Sequence, residues 1–404
     1  MRSPAADISA GWVKLEPVMT DRVYLDNAAT TPLDPRVLES MLPHLSGRRG
    51  NPSSVHALGG AARDAIEAAR ASVASLVGAL PEEIVFTSGG TESDAVAVLG
   101  LARSAPPDKR HLVVSCVEHA AVREDARRLE QEGFGVTWVG VDADGMIDPD
   151  EFLAALRPDT ALAAAIWANN EVGTIEPIQE LAEACAGQSI PFHADAVQAA
   201  GRVPIDVSDT PVSAMALSGH KLYGPQGTGA LYLRSGVLPE PLVCGGGQEY
   251  GLRSGTQNVA GIVGLGTAAA LASEEMGGRV EHERTLRDRI LAAVEEIPEV
   301  RVNGHRRLRL SNNVHLMVSG VEAESLVLFL DSLGYAVGSG SACSSGGHKA
   351  SEVLTAMGMA EREAFSVVRI TVGKDNTAEE IDGFLAAFSV AVAQLRELSP
   401  LYAG

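Results

Sequence analysis

The chain has 404 residues, of which 46% are hydrophobic and 21% charged, a soluble globular composition rather than a disordered or fibrous one. A net charge of −20 argues against direct nucleic-acid binding, because phosphates are neutralised by Lys and Arg. Cys116, Cys185, Cys244 and Cys343 lie far apart and fit neither a disulfide framework nor a Cys/His metal pattern, so a reducing cytoplasm and no metal are expected.

Asp7, Lys14 and Glu16 interrupt the N-terminal segment, which reads as a loosely ordered extension over 1–22 with no leader or membrane span. A helix is expected from Ala57 to Val77, then a buried strand over Ile84–Thr87. This strand runs into Ser88-Gly89-Gly90-Thr91 and the next helix, placed at Ser93–Arg103. Glycines and a helix start suit an anion, whereas Thr91 and Asp94 also fit a plain capping box. The strand Leu112–Ser115 leads to His119, which opens a helix to Gln131 and sits where a flat cofactor could stack; a structural role is the alternative. After the strand Val136–Val139, Asp148 and Pro149 make an N-cap and first-turn proline for a helix to Leu156. The strand Leu162–Trp167 ends in Asn169 and Asn170, either of which could donate to a ring oxygen, or could simply serve a turn. A helix over Ile178–Ala186 precedes Ile190-Pro-Phe192 and His193-Ala-Asp195. Asp195 is either a carboxylate for a protonated ring nitrogen or a helix cap. The strand Ser213–Leu217 is followed by Ser218, His220 and Lys221 in a glycine-rich turn, with a return strand near Gly229. Lys221 reads as a Schiff-base lysine beside phosphate ligands, or as a surface lysine in a hairpin.

Strands alternating with helices predict an α/β fold with a mostly parallel mixed sheet flanked by helices. The pattern changes after about residue 260. Two helices (Val259–Glu275 and Arg279–Ile297), a strand (Asn312–Met317), a helix (Glu324–Leu333), a strand (Val367–Val372) and a last helix (Ala378–Leu398) predict a smaller α+β domain. The expected division is 23–275, its first residues open to packing on the small domain, and 276–404, carrying the Cys343 loop. Arg369, inside an apolar strand, needs a partner: a substrate carboxylate or an internal salt bridge. A reactive lysine, a ring-nitrogen carboxylate, a phosphate cradle and a carboxylate-binding arginine are the parts of a pyridoxal phosphate enzyme acting on an amino acid.

From Tyr24-Leu-Asp-Asn-Ala-Ala-Thr-Thr-Pro32 to about Pro400 the chain resembles cysteine desulfurases of the NifS/IscS class, in the class V aminotransferase family. The resemblance is carried by GNPSSVH (50–56), SGGTESD, EHAAV, ANNEVGTI, HADAVQ, SGHKLYGPQGTGALY, GGGQEYGLRSGT (245–256), GSGSACSS and VVRITVG. It implies the fold type I architecture of pyridoxal phosphate-dependent transferases. It implies that Lys221 holds the cofactor, Asp195 pairs with its ring nitrogen, and Gln198 and Asn170 contact its phenolic oxygen. His119 would stack on the ring and shuttle protons; Gly90, Thr91, Ser218 and His220 would hold the phosphate. Thr256 would reach the phosphate of a neighbouring subunit, which implies a homodimer. Arg369 and Asn170, with Asn27 nearby, would bind the carboxylate of L-cysteine. Cys343 would take the sulfur as a persulfide, leaving alanine, and pass it to an acceptor protein such as an iron–sulfur scaffold. The eleven residues from Ser344 to Leu354 match the long-loop IscS-like branch. Cys244, Cys116 and Lys374 depart from the common family pattern, as does the longer N-terminal extension. A related class V aminotransferase, a selenocysteine lyase, or a non-enzymatic sulfur-relay protein are the alternatives.

Overall fold

A computed structural model describes residues 22–340 and 350–399. Cys343 and the expected N-terminal extension, apart from Arg22, lie outside the described residues. The chain begins with β1 (Val23–Leu25), α1 (Pro35–Ser46) and α2 (Ala57–Val77). It then builds a sheet from β2 (Ile84–Thr87), β3 (His111–Ser115), β4 (Gly135–Val139), β5 (Thr160–Ile166), β6 (Phe192–Asp195), β7 (Ala214–Ser218) and β8 (Gly229–Leu233). Their order is β2-β8-β7-β6-β5-β3-β4, parallel except where β8 runs against both its neighbours. Between the strands lie α3 (Gly90–Ser104), α4 (Ala120–Gln131), α5 (Pro149–Ala155) and α6 (Ile178–Gly187). Every residue of β5 is buried, because helices cover both faces of the sheet; its alanines let those helices approach closely.

The connections follow local chemistry. Asp148 caps α5 by accepting from the Asp150 N–H at 2.8 Å, with Pro149 in the first turn as expected. Gly78 ends α2 at φ +69, a left-handed position that suits glycine. The sequence reading left α1 out, although Asp34-Pro35 carries the same cap signal: Asp34 accepts from the Arg36 N–H at 2.9 Å. Its periodicity was obscured by Pro43, and its leucines at 38, 42 and 45 face outward.

The second sheet gathers β9 (Val300–Val302), β10 (Asn313–Val318), β11 (Tyr335–Ser339) and β12 (Val367–Thr371) in the order β1-β11-β12-β10-β9. Thus β1, the first described strand, pairs in parallel with β11 rather than joining the large sheet. Two helices, α8 (Ala323–Ser332) and α11 (Ala378–Leu398), pack on this sheet, and the short α9 (Glu352–Ala356) and α10 (Glu361–Ala364) precede β12. A capping box opens α11: Thr377 Oγ1 accepts from the Glu380 N–H and Glu380 Oε2 accepts from the Thr377 N–H.

One expectation is corrected. The two helices read around residue 277 are a single helix, α7 (Val259–Val294). The exposed pair Gly277-Gly278 lowers helix propensity by about 1 kcal/mol per glycine. Packing at both ends offsets this: Ile262, Leu265 and Ala269 lie in the large-sheet core, and Leu286, Ile290 and Val294 in the small-sheet core. The Glu275–Arg279 ion pair, 2.6 Å, bridges the glycines one turn apart. By length and composition α7 is apolar enough to cross a membrane, but half of that apolar stretch is buried within the fold.

Phe384 is fully buried, with the Tyr335 and Phe388 rings each at 5.7 Å. Phe384→Ala is expected to destabilise the small-sheet unit by about 3–5 kcal/mol, read as a lower urea midpoint for its unfolding transition.

Candidate functional site

The parallel strands of the large sheet all end on one edge, and their C-terminal turns carry the site. Asp195 is the last residue of β6; His119 follows β3; Asn170 follows β5; Ser218 ends β7 and Lys221 lies one short turn beyond. At β2 the chain enters α3 through Gly89, which brings no side-chain cap to the helix start. That rules out the capping box read from Thr91 and Asp94, because the helix begins at Gly90 and Thr91 already lies within its first turn. A Cβ on Gly90 would lie 2.7 Å from Val197 Cγ2 and 3.7 Å from Ser218 Cβ. The helix start, the turn after β6 and the end of β7 therefore converge on one small cradle with uncapped helix N–H groups.

Lys221 is half-buried in the connection between the antiparallel β7 and β8. Its Nζ donates to the carbonyls of Ala28 and, at 2.6 Å, Ala29. Those carbonyls belong to a strap that leaves β1. Gln198 Nε2 donates to the Ala28 carbonyl at 3.0 Å, Thr31 Oγ1 donates to the His220 carbonyl, and Thr30 Oγ1 lies 3.1 Å from His220 Nδ1. Asn27 is buried, its Nδ2 donating to the Thr371 carbonyl at 2.8 Å. The strap thus ties the lysine turn to the small sheet.

Asp195 is buried, and its Oδ1 accepts from the Val197 N–H at 2.9 Å, so it stabilises the local turn as well as facing the site. Burial raises its pKa, against the pull of His119, the Val197 N–H and Lys221. Burial likewise lowers His119, with Asp195 opposing and Lys221 reinforcing. His119 caps α4, its Nδ1 accepting from the Ala121 N–H at 3.2 Å. The one proton of its neutral ring is then on Nε2. Burial, then the neighbouring Lys221 charge, lowers His220 to about 4, so it is neutral at pH 7.

Asn170, not Asn169, is the amide left for a ligand. Asn169 Nδ2 donates to the Val117 carbonyl, and its Oδ1 accepts from the N–H groups of Glu171 and Val172, holding the turn. Arg369 reaches this turn from β12 of the other sheet. Its Nη1 donates to the Asn170 carbonyl at 2.9 Å and its Nη2 pairs with Asp26 at 2.8 Å. The internal salt bridge is present, and the buried Nε has no hydrogen-bond partner. Gly338 makes room: a Cβ there would lie 3.3 Å from that Nε. Thr91 and Thr256 are exposed, and Thr256, in the loop before α7, makes no described hydrogen bond to this cluster.

Sequence reasoning missed the buried acids beneath the site. Ligand atoms of Asp94, His119 and Asp195 lie within 4.8 Å of one another. Asp94 is 3.0 Å from His193 Nε2, and both side chains are fully enclosed. Burial, then Asp195, Glu118 and Asp125, pushes Asp94 well above the usual carboxylate range. Burial does the same to Glu118, whose Oε1 accepts from the Ile166 N–H at 2.5 Å. These residues sit inside the quoted motifs, but burial was not readable from them. Glu249 and Tyr250, in the segment 245–256, adopt left-handed φ values of 48 and 59. The conformation is held by Glu249, which accepts from Arg70 Nη1 and the Phe86 N–H at 2.8 and 2.9 Å.

The residues fit pyridoxal phosphate: a buried carboxylate, an amine, an uncapped helix start and an orphaned guanidinium N–H converge. Residues 23–384 match the family model "Aminotransferase class-V". The chain is 45% identical to "Cysteine desulfurase IscS" of Methanosarcina thermophila over 94% of each chain. It is 45% identical to the protein of that name in Dictyoglomus turgidum, over 95% of this chain and 97% of the relative. Among solved structures, a NifS-like protein superposes with a TM-score of 0.87 at 36% identity, covering 92% of this chain and all of the other.

Glu176 closes the turn bearing Asn170, its N–H donating to the Trp167 carbonyl and its Oε2 accepting from the Ile147 N–H. Burial raises its pKa from 4.5 to about 8. The folded protein then holds a proton that the unfolded chain releases above 4.5, so this contribution is full below pH 4.5 and lost as pH rises through 8. Glu176→Gln is expected to flatten the fall in melting temperature between pH 5 and 8; an unchanged slope in a thermal-shift pH series would contradict it.

Proposed function

The chain belongs to the class-V aminotransferase family, and from that membership we propose how its own residues carry out the work of a cysteine desulfurase. The activity removes sulfur from L-cysteine, giving L-alanine and a persulfide. The observation that carries the residue assignment is the grouping of Lys221, Asp195 and His119 at one sheet edge, where the Asn170 turn is bonded to Arg369 of the other sheet.

Pyridoxal 5'-phosphate would be held covalently by Lys221, with Asp195 on the ring nitrogen and Gln198 and Asn170 at the phenolic oxygen. Gly90, Thr91, Ser218 and His220 would take the phosphate, and Thr256 that of a partner subunit. Bound there, the cofactor supplies an electron sink for negative charge developing at the substrate α-carbon. Arg369 Nε and Asn170, with Asn27 behind them, bind the substrate carboxylate and orient the cysteine sulfur outward. His119 would shuttle a proton through Nε2, the ring nitrogen not engaged by the Ala121 N–H.

The Cys343 thiolate attacks the substrate sulfur. An S–S bond forms as the C–S bond breaks, and the C–S electron pair stays on carbon, which is protonated to alanine. Cys343 then delivers the sulfur to an acceptor protein of the iron–sulfur scaffold or another sulfur-accepting kind. Burial raises the Cys116 thiol to about 11, which disqualifies it as the nucleophile at neutral pH. A homodimer is supported by the outward apolar row of Leu38, Leu42 and Leu45 on α1, with Val55 and Leu58 exposed nearby in sequence. The proposed domain division near residue 276 cuts α7 beside its glycine pair. The free thiols Cys116, Cys185 and Cys244 support a reducing cytoplasm.

Cys343→Ala is expected to reduce sulfide release from L-cysteine to background while the visible absorption of the bound cofactor is unchanged. Undiminished release would favour a related aminotransferase or lyase instead. Arg369→Lys keeps a charge but loses the fork; KM for L-cysteine should rise by about tenfold or more, with cofactor retained.

A further inference from the structure

A second constellation lies away from this edge. Arg202, Arg284, Arg287, Arg306, Arg307 and Arg309 line one cleft of about 690 Å³, between the middle of α7 and the loop from 306 to 311. None of the residues assigned to the cofactor or to cysteine lines it. Six guanidiniums in one concavity stand out on a chain of net charge −20.

The facing carboxylates do not balance them. Arg287 pairs with Asp288 at 2.7 Å, Arg284 with Glu281 at 3.0 Å, Arg306 with Glu295, and Arg202 with Glu283 at 3.7 Å. Arg307 and Arg309 have no ion pair among the described residues. Arg309 is buried and donates only to neutral oxygens: the carbonyls of Asn303 and His305, and Asn313 through its carbonyl and side-chain amide. Burial, then Arg287 and Arg306, lowers its pKa to about 10, so it stays charged at neutral pH.

Arg202 supplies an independent sign of a missing ligand. It is 7% exposed, and its Nε has no hydrogen-bond partner. The Glu283 carboxylate lies 3.7 Å from that Nε, an ion pair without a hydrogen bond, and an oxyanion in the cleft supplies the missing bond. Arg202 Nη1 also donates to the Lys221 carbonyl at 3.3 Å, so the cleft backs onto the lysine turn. Val203, Val280 and Leu310 give the cleft an apolar wall. Its volume falls within the roughly 300–1,000 Å³ of small-molecule sites. A protein partner needs a broader surface, about 800 Å² on each side.

We propose that this cleft binds a small polyphosphate, either inorganic or the phosphate tail of a nucleotide. Guanidinium forks match phosphate oxygens, and two uncompensated charges favour a multiply charged anion over a single carboxylate.

The test is isothermal titration calorimetry on the cofactor-loaded protein at low salt, so that the cofactor's own phosphate cradle is filled. Sodium pyrophosphate and ADP are the probes. Either is expected to bind saturably; tighter pyrophosphate binding assigns an inorganic ligand, and tighter ADP binding a nucleotide. The double variant Arg284→Ala/Arg307→Ala, at two exposed positions, should weaken binding by about tenfold or more with the cofactor absorption unchanged. Absence of saturable binding by both probes up to about 10 mM overturns the proposal, as does binding that the double variant leaves intact. The measurement reads binding alone, so it stands or falls separately from the desulfurase assignment.

Discussion

A buried guanidinium governs how this molecule is put together. Arg369 sits mid-strand in β12, flanked in register by His315 and Gly338 and enclosed on nearly all sides. A charge in that position needs partners drawn from outside its own strand. It takes them from two places: the Asp26 carboxylate at the end of β1, and the Asn170 carbonyl in a turn of the other sheet. Satisfying one cation therefore docks the small sheet, the N-terminal strand and the large sheet against one another. The Nε that remains is buried without a hydrogen-bond partner.

The strap from Asp26 to Thr31 extends that logic. It leaves the small sheet bonded to Thr371 through Asn27 and Ala28, then presents two carbonyls to Lys221 and a hydroxyl contact to His220. The strap's carbonyls thus fix the position of the lysine. Beneath it, three acids and two imidazoles share a dry volume. Burial pushes Asp94 and Glu118 above the usual carboxylate range and holds His119 and His193 below the usual imidazole range. In the arginine cleft, cations outnumber their partners.

Much of this was legible beforehand because it is local. The strand-helix alternation, the Asp148-Pro149 cap and the placing of Asp195, Lys221 and His119 at strand ends all follow from short windows of sequence. The division of α7 at Gly277-Gly278 failed for the opposite reason: two distant cores hold the helix together, and neither is visible in a local propensity. The outward face of α1 went unread because its apolar residues do not point to this chain's own core. Among the site amides, Asn169 and Asn170 were equivalent in sequence; only the hydrogen bonds of the turn separate them.

By itself, the sequence determined which chemical groups are available and the order in which the strands present them: the amine, the strand-end carboxylate, the glycine-rich helix start, the strand arginine and the thiol. It also determined kinship, through motifs spread over almost the whole chain. Tertiary structure alone decided which of these groups are dry, which are already paired and which are left with a free donor. Ionisation and hydrogen-bond satisfaction depend on neighbours far apart in the chain. Asp26 and Arg369, 343 positions apart, meet only when the small sheet brings β1 and β12 together.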